Sequence, residues 1–170
     1  TTEIIDMALG QIRLRGNPIE DLIGNISFPQ MIWLMTRGEL PNKEQANLLE
    51  CALVAAVDHG PQAPSIAAAR MAVTCGLGLN GAMASAVNML DDVHGGAGEQ
   101  AVELYHWVHD AVQKGNELEE AAAQMIDRWQ NERTKFIPGF GHRFHKPEDP
   151  RTPRLLGLID EAAQAGTVDG

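Results

Sequence analysis

Between Ala63 and Ala86 half of the residues are alanine, glycine or serine, and from Met71 to Leu90 twenty successive positions carry no charge. An uncharged run of that length matches a membrane-spanning helix. Three glycines, two asparagines, Thr74 and Ser85 make it too weakly hydrophobic for lipid, however. Small side chains let helix backbones approach closely, so the run is read as two tightly packed core helices, at about 65–75 and 80–91. Within it, Gly76-Leu77-Gly78-Leu79-Asn80-Gly81 has the letters G-x-G-x-x-G. A dinucleotide fingerprint needs a preceding strand. An alanine-rich helical run precedes this one, which argues against such a cofactor.

The rest of the chain reads as further helices divided by glycine and proline. Ile12 and Leu14 alternate with Gln11, Arg13 and Arg15, which suits a short strand or extended arm ending at Gly16. Asn17-Pro18 opens a helical turn through Ile19, Leu22 and Ile23. Ser27 can cap a helix from Phe28 to Thr36, with Pro29 in its first turn and Gly38 just past its end. Asn42 and Gln45 resemble a capping box for a helix with Ala46, Leu49, Leu53 and Ala56 on one face. That helix stops at Asp58-His59-Gly60-Pro61, where Gly60 can supply a left-handed terminal residue. Later helices run through Val102, Tyr105, His106 and Val112 to Lys114-Gly115, over about 117–132, and from Pro153 to about 165. The expected fold class is all-α.

A net charge of -10 argues against nucleic-acid binding, which needs a basic face. Cys51 and Cys75 lie in apolar helical patterns and read as buried free thiols of a reduced cytoplasm. No basic, then apolar, run marks a signal peptide at the start. One window reverses the global charge. Residues 131–154 hold six of the thirteen Lys and Arg (Arg133, Lys135, Arg143, Lys146, Arg151 and Arg154) against three acids. Such a cluster can focus potential on a small anion despite the overall sign.

Six histidines are present. Glu103-x-x-His106 resembles half of a carboxylate di-metal motif, but the second pair is missing, so His106 and His109 read as a solvated helix face. His142 and His145 have ligand-like spacing without a nearby cysteine or third ligand, and no metal site is assigned. His59 precedes Gly-Pro, His94 precedes Gly-Gly and His142 follows Gly-Phe-Gly. Glycine lets a substrate approach the backbone, and histidine exchanges protons near neutrality. Three such positions favour an acid–base enzyme over a structural or binding module.

His94-Gly95-Gly96-Ala97-Gly98-Glu99 resembles the H-G-G-A-N-E segment of the citrate synthase superfamily. Pro138-Gly139-Phe140-Gly141-His142-Arg143 with Asp149-Pro150-Arg151 resembles its P-G-F-G-H-R…D-P-R. Arg15-Gly16-Asn17-Pro18-Ile19-Glu20-Asp21-Leu22 and Gly38-Glu39-Leu40-Pro41 resemble R-G-x-P-I-E-D-L and G-E-L-P. The matches keep the family's order and cover most of the chain. Only seventeen residues separate Pro41 from His59, and Asp58-His59-Gly60-Pro61 replaces the synthase-like D-H-E. This compact form is similar to citryl-CoA lyase, including the module that ends ATP-citrate lyase. Asp91-Asp92 departs from the family's usual Gly-Pro.

The resemblance implies an all-α, citrate-synthase-like fold, with residues 1–94 as the core of a large helical domain and 95–170 as an incomplete small domain. It implies His94 and His142 as catalytic residues, the first at the thioester oxygen and the second at the citryl hydroxyl or oxaloacetate carbonyl. His59 and Arg151 would bind carboxylates. Ile137, Pro138, Gly139, Phe140, Gly141, Arg143 and Lys146 would bind CoA. No permanent cofactor is implied; the CoA thioester is the substrate. The expected reaction is cleavage of citryl-CoA to acetyl-CoA and oxaloacetate. The alternatives are citrate synthase and a non-catalytic CoA- or dicarboxylate-binding homologue. A cytoplasmic homodimer joined through the small-residue helices is expected, with no nucleic acid or membrane partner. The family's catalytic aspartate lies well beyond its G-H-R segment, whereas this chain ends 28 residues after His142; Asp160 and Asp169 stand too close to match. A truncated product is therefore expected.

Overall fold

The computed structural model describes residues 2–142 and 145–168. It is helical apart from a small antiparallel sheet near the start. Strands β1 (Ile5–Ala8), β2 (Gln11–Leu14) and β3 (Asn17–Pro18) lie in chain order, with Ile5 opposite Leu14 and Leu14 opposite Asn17. Arg15 and Gly16, at φ 48° and 81°, form the two-residue loop between β2 and β3. Two left-handed residues suit the twist of a tight hairpin, and glycine takes one of them without strain. The expected single strand is thus the middle of three. Asn17-Pro18 pairs as β3 before the short helix α1 (Ile19–Leu22) begins.

By internal contacts the chain divides into two compact units, residues 1–58 with 147–170, and residues 59–146. The first unit holds the sheet, α1, α2 (Phe28–Arg37), α3 (Lys43–Ala55) and α8 (Arg151–Gln164). Ser27 and Gln30 form a reciprocal capping box on α2, Gly38 ends that helix at φ 89°, and Asn42 with Gln45 repeats the box on α3. Each side chain satisfies an end amide that has no partner within its helix. Arg15 Nε and Nη2 donate to Met35 O at the end of α2 (3.2 and 2.8 Å). Leu34 is 1% exposed and Leu22 4%.

Two expected boundaries shift. Helix α3 ends at Ala55, so Gly60, at φ 78°, lies in the following loop and does not cap the helix. Helix α8 begins at Arg151, before Pro153. Asp149 accounts for this: its Oδ1 accepts from the Arg151 amide (3.0 Å) and its carbonyl from the Thr152 amide (3.0 Å). Proline is tolerated at the third position because amides of a first turn have no helical acceptor.

The second unit contains α4 (Pro64–Thr74), α5 (Leu79–Val87), α6 (Ala97–Gln113) and α7 (Leu118–Glu132). Helix α4 packs on α5 and α6 on α7. Gly78 is the N-cap of α5, and α4 precedes it, so the G-x-G-x-x-G letters lack the strand they need. The α4–α5 pair is close-packed as expected, but it is not core in this chain: α4 has no fully buried residue and α5 only Ala82. No helix among the described residues is long and apolar enough to cross a membrane.

Candidate active site

His94 is held by two local devices. Asp91 and His94 exchange backbone bonds (Asp91 N to His94 O, 3.0 Å; His94 N to Asp91 O, 2.9 Å), and the Gly96 amide also reaches Asp91 O (3.0 Å). These bonds are all main-chain, and nothing in the structure explains Asp91-Asp92 in place of the family's Gly-Pro. A Cβ on Gly96 would lie 2.9 Å from Asp92 Cα and 3.0 Å from Asp91 O, so the turn admits no side chain there. The half-buried imidazole points its Nε2 at the start of α4, where the Ser65 amide donates to it (3.3 Å) and the Ser65 hydroxyl lies 2.9 Å away. An accepting Nε2 leaves the ring proton on Nδ1. The ring therefore offers one N–H donor, in a direction fixed by its bonds to Ser65.

His59 and His142 meet although 83 residues separate them: their Nε2 atoms are 2.9 Å apart and their ring centroids 5.0 Å. His142 Nδ1 accepts from the His145 amide (3.1 Å). Its proton is then on Nε2, which donates, and His59 Nε2 accepts. Within the pair that proton and that lone pair are engaged with each other.

In the first unit, Arg151 Nε donates to Asp149 Oδ1 (2.9 Å), Nη2 to Oδ2 (2.6 Å) and Nη1 to Ala55 O (3.2 Å). This bidentate geometry matches guanidinium to carboxylate, and the third bond caps a terminal carbonyl of α3. The hydrogen bond to Asp149 holds the guanidinium above its ordinary range, with burial pulling the other way. The sequence points to Arg151 as a carboxylate clamp; the structure shows its fork engaging a carboxylate of its own chain.

The Ile137–Gly141 turn has Gly139 at φ 77° and Gly141 at φ 81°, and the Phe140 amide reaches Ile137 O (3.4 Å). Gly139 lies against α6, where a Cβ would come within 3.0 Å of Ala101 Cβ. Phe140 faces Tyr105 of α6, with centroids 6.3 Å apart. Lys146 is exposed. Arg143 lies outside the described residues. His106 and His109 are exposed on α6, as a solvated face requires. Sequence reasoning passed over Ser65, Asp149 and Tyr105. Asp149 stands inside the D-P-R motif; Ser65 and Tyr105 are ordinary helix residues whose contacts come from distant chain.

A profile described as citrate synthase, C-terminal domain, matches residues 42–169. The citrate synthase of Haloferax volcanii is 33% identical over 129 residues, 75% of this chain and 31% of that protein. A structure of citryl-CoA lyase from Hydrogenobacter thermophilus superposes with a TM-score of 0.78 at 34% identity, covering 95% of this chain and 60% of that one. The ATP citrate lyase of Methanosaeta concilii gives a TM-score of 0.79 at 21% identity, over 97% of this chain and 25% of that one, a likeness of fold. The chain spans about a third of the length of the curated relatives it matches. With its motif turns built as described and three quarters of its residues under the profile, the chain belongs to the citrate synthase family.

Proposed function

We propose that this chain carries the site of a citryl-CoA lyase-type reaction, in which citryl-CoA is cleaved to acetyl-CoA and oxaloacetate through an acetyl-CoA enolate. The likeness to a citryl-CoA lyase over 95% of the chain carries this reading, and the compact Asp58-His59-Gly60-Pro61 supports it. Citrate synthase is the second reading, favoured by the names of the curated relatives. A non-catalytic CoA- or dicarboxylate-binding homologue is the third.

The chemistry follows from the ring protons. A citryl hydroxyl at His142 displaces that ring's hydrogen bond to His59; its proton passes to the histidine pair through His142, which then holds the forming alkoxide. The carbon–carbon bond breaks, the alkoxide becomes the ketone of oxaloacetate, and the electron pair moves to the thioester. His94 Nδ1–H stabilises that enolate oxygen, a preorganised donor at the point where charge develops. The family's aspartate completes the methyl group by protonating carbon; no residue of this chain matches it. In condensation, His142 polarises the oxaloacetate carbonyl. His59 and Arg151 bind carboxylates, and the 137–141 turn, Arg143 and Lys146 bind CoA. No resident cofactor is required.

Residues 1–94 are read as large-domain core and 95–170 as small-domain, a functional division distinct from the contact units. We also propose a cytoplasmic homodimer joined across the outer face of α4 and α5, where Met71, Val73, Leu79, Met83 and Val87 are 56–78% exposed.

The test gives the full-length protein citryl-CoA and, separately, acetyl-CoA with oxaloacetate, while free thiol is followed. Citryl-CoA cleavage without thiol release in the second assay supports the lyase, and thiol release supports the synthase. CoA binding without turnover leaves the binding module. His94→Ala and His142→Ala are each expected to fold normally and lose about a hundredfold or more in rate; near-full activity in either removes these roles.

A further inference from the structure

We propose that Tyr105 forms part of the adenine-binding surface for CoA, an assignment that rests on the CoA-binding role proposed above for the Ile137–Gly141 turn. Tyr105 is the only tyrosine of the chain. It lies four residues after Ala101, the α6 residue against which Gly139 is pressed. Residues four apart share a helix face, so the contact that seats the turn also places the tyrosine ring beside it.

The two rings are not buried in each other. Tyr105 is 55% exposed and Phe140 58%. An aromatic pair that served only to fasten the turn would be shielded, as Trp129 is beneath Trp107 at 2% exposure. The ring planes of Tyr105 and Phe140 meet at 60° with centroids 6.3 Å apart. A slot for a sandwiched base needs parallel rings, so this geometry makes a corner. A flat heterocycle lies with its face on Tyr105 and an edge toward Phe140. Its polar rim then faces the turn, where the backbone supplies donors and acceptors. Adenine has that combination of apolar faces and polar edge, and stacking on a tyrosine ring asks nothing of its exocyclic groups.

The test measures binding of CoA and of pantetheine, which lacks the nucleotide, to the full-length protein by calorimetry. Three chains are compared: the natural protein, Tyr105→Phe and Tyr105→Leu. Leucine retains an apolar contact with the turn but offers no ring face, which separates stacking from fastening. Tyr105→Leu is expected to weaken CoA binding roughly five- to tenfold, the low end of the loss for one base–ring stack. Pantetheine binding is expected to be unchanged, and Tyr105→Phe to behave as the natural protein. If Tyr105→Leu binds CoA normally while the natural protein prefers CoA to pantetheine, the inference fails and the CoA reading stands. If the natural protein makes no distinction between the two ligands, both fail. Equal weakening of CoA and pantetheine by Tyr105→Leu also overturns it, since that pattern marks a displaced turn.

Discussion

The two helix pairs of the second unit solve the same packing problem in different ways. Helices α6 and α7 close a core between themselves: Ala101, Leu104, Ala111, Ala121 and Trp129 are all less than 9% exposed, and the tilted rings of Trp107 and Trp129 have centroids 5.3 Å apart. Their outer faces are charged, with Arg133 joined to Glu103 (2.7 Å) and Arg128 over the Trp107 ring at 4.4 Å. Helices α4 and α5, rich in alanine and other small residues, pack on each other but enclose little apolar surface, with only Ala82 buried. Their larger side chains, Met71, Leu79, Met83 and Val87, point outward. One pair is finished by its own residues. The other is built for close approach and leaves its larger apolar side chains exposed.

Substitutions can break this contrast. Trp129→Ala is expected to cost about 3–5 kcal/mol, because a large buried ring leaves a cavity. The urea midpoint should fall accordingly, and at any protein concentration. A loss below about 1 kcal/mol would show that α6 and α7 are not self-sufficient. Met83→Asp combined with Val87→Asp should act on assembly. Two carboxylates in an apolar contact are expected to raise the dimer dissociation constant by about a hundredfold or more. Sedimentation should then show monomer with unchanged helical circular dichroism; an unchanged dimer would place the interface elsewhere.

Ala82→Leu tests the close approach within the α4–α5 pair. Overpacking that contact should cost about 1–3 kcal/mol, read from the thermal midpoint. The smallest change expected is from Glu103→Gln, which removes the ion pair with half-exposed Arg133. It should cost about 0.2–1 kcal/mol, and the difference should shrink in high salt.

The contrast also explains which features the sequence announces. Capping is local chemistry, so the Ser27 cap and the Asn42–Gln45 box were legible within four residues; the answering bond from Gln30 came only with the structure. The amphipathic stripes of α6 and α7 were legible because their burial is internal. The small residues of α4 and α5 correctly signalled close packing. They said nothing of depth, which depends on what covers the outer face. β1 escaped because Ile5-Asp6-Met7-Ala8 is short and mostly exposed. The start of α8 escaped because Asp149 moved it ahead of the proline. At the candidate site, glycine context singled out His59, His94 and His142 one by one. That two of them share a hydrogen bond could not be read, since no periodicity relates positions 83 residues apart.

That hydrogen bond lies close to a seam in the chain's topology. The second unit is an insertion: the chain leaves the first unit after Asp58 and returns at Pro147. His59 is the first residue of the inserted unit and His142 is near its last, so their bond brings the two ends of the insertion together. Arg151 does the same for the host, joining its re-entering segment to Ala55, 96 residues away, just before the chain departs. Each unit thereby closes its own loop, and the entropy of holding those ends together is met inside each unit. The residues proposed to grip substrate carboxylates are also the clasps of an inserted domain.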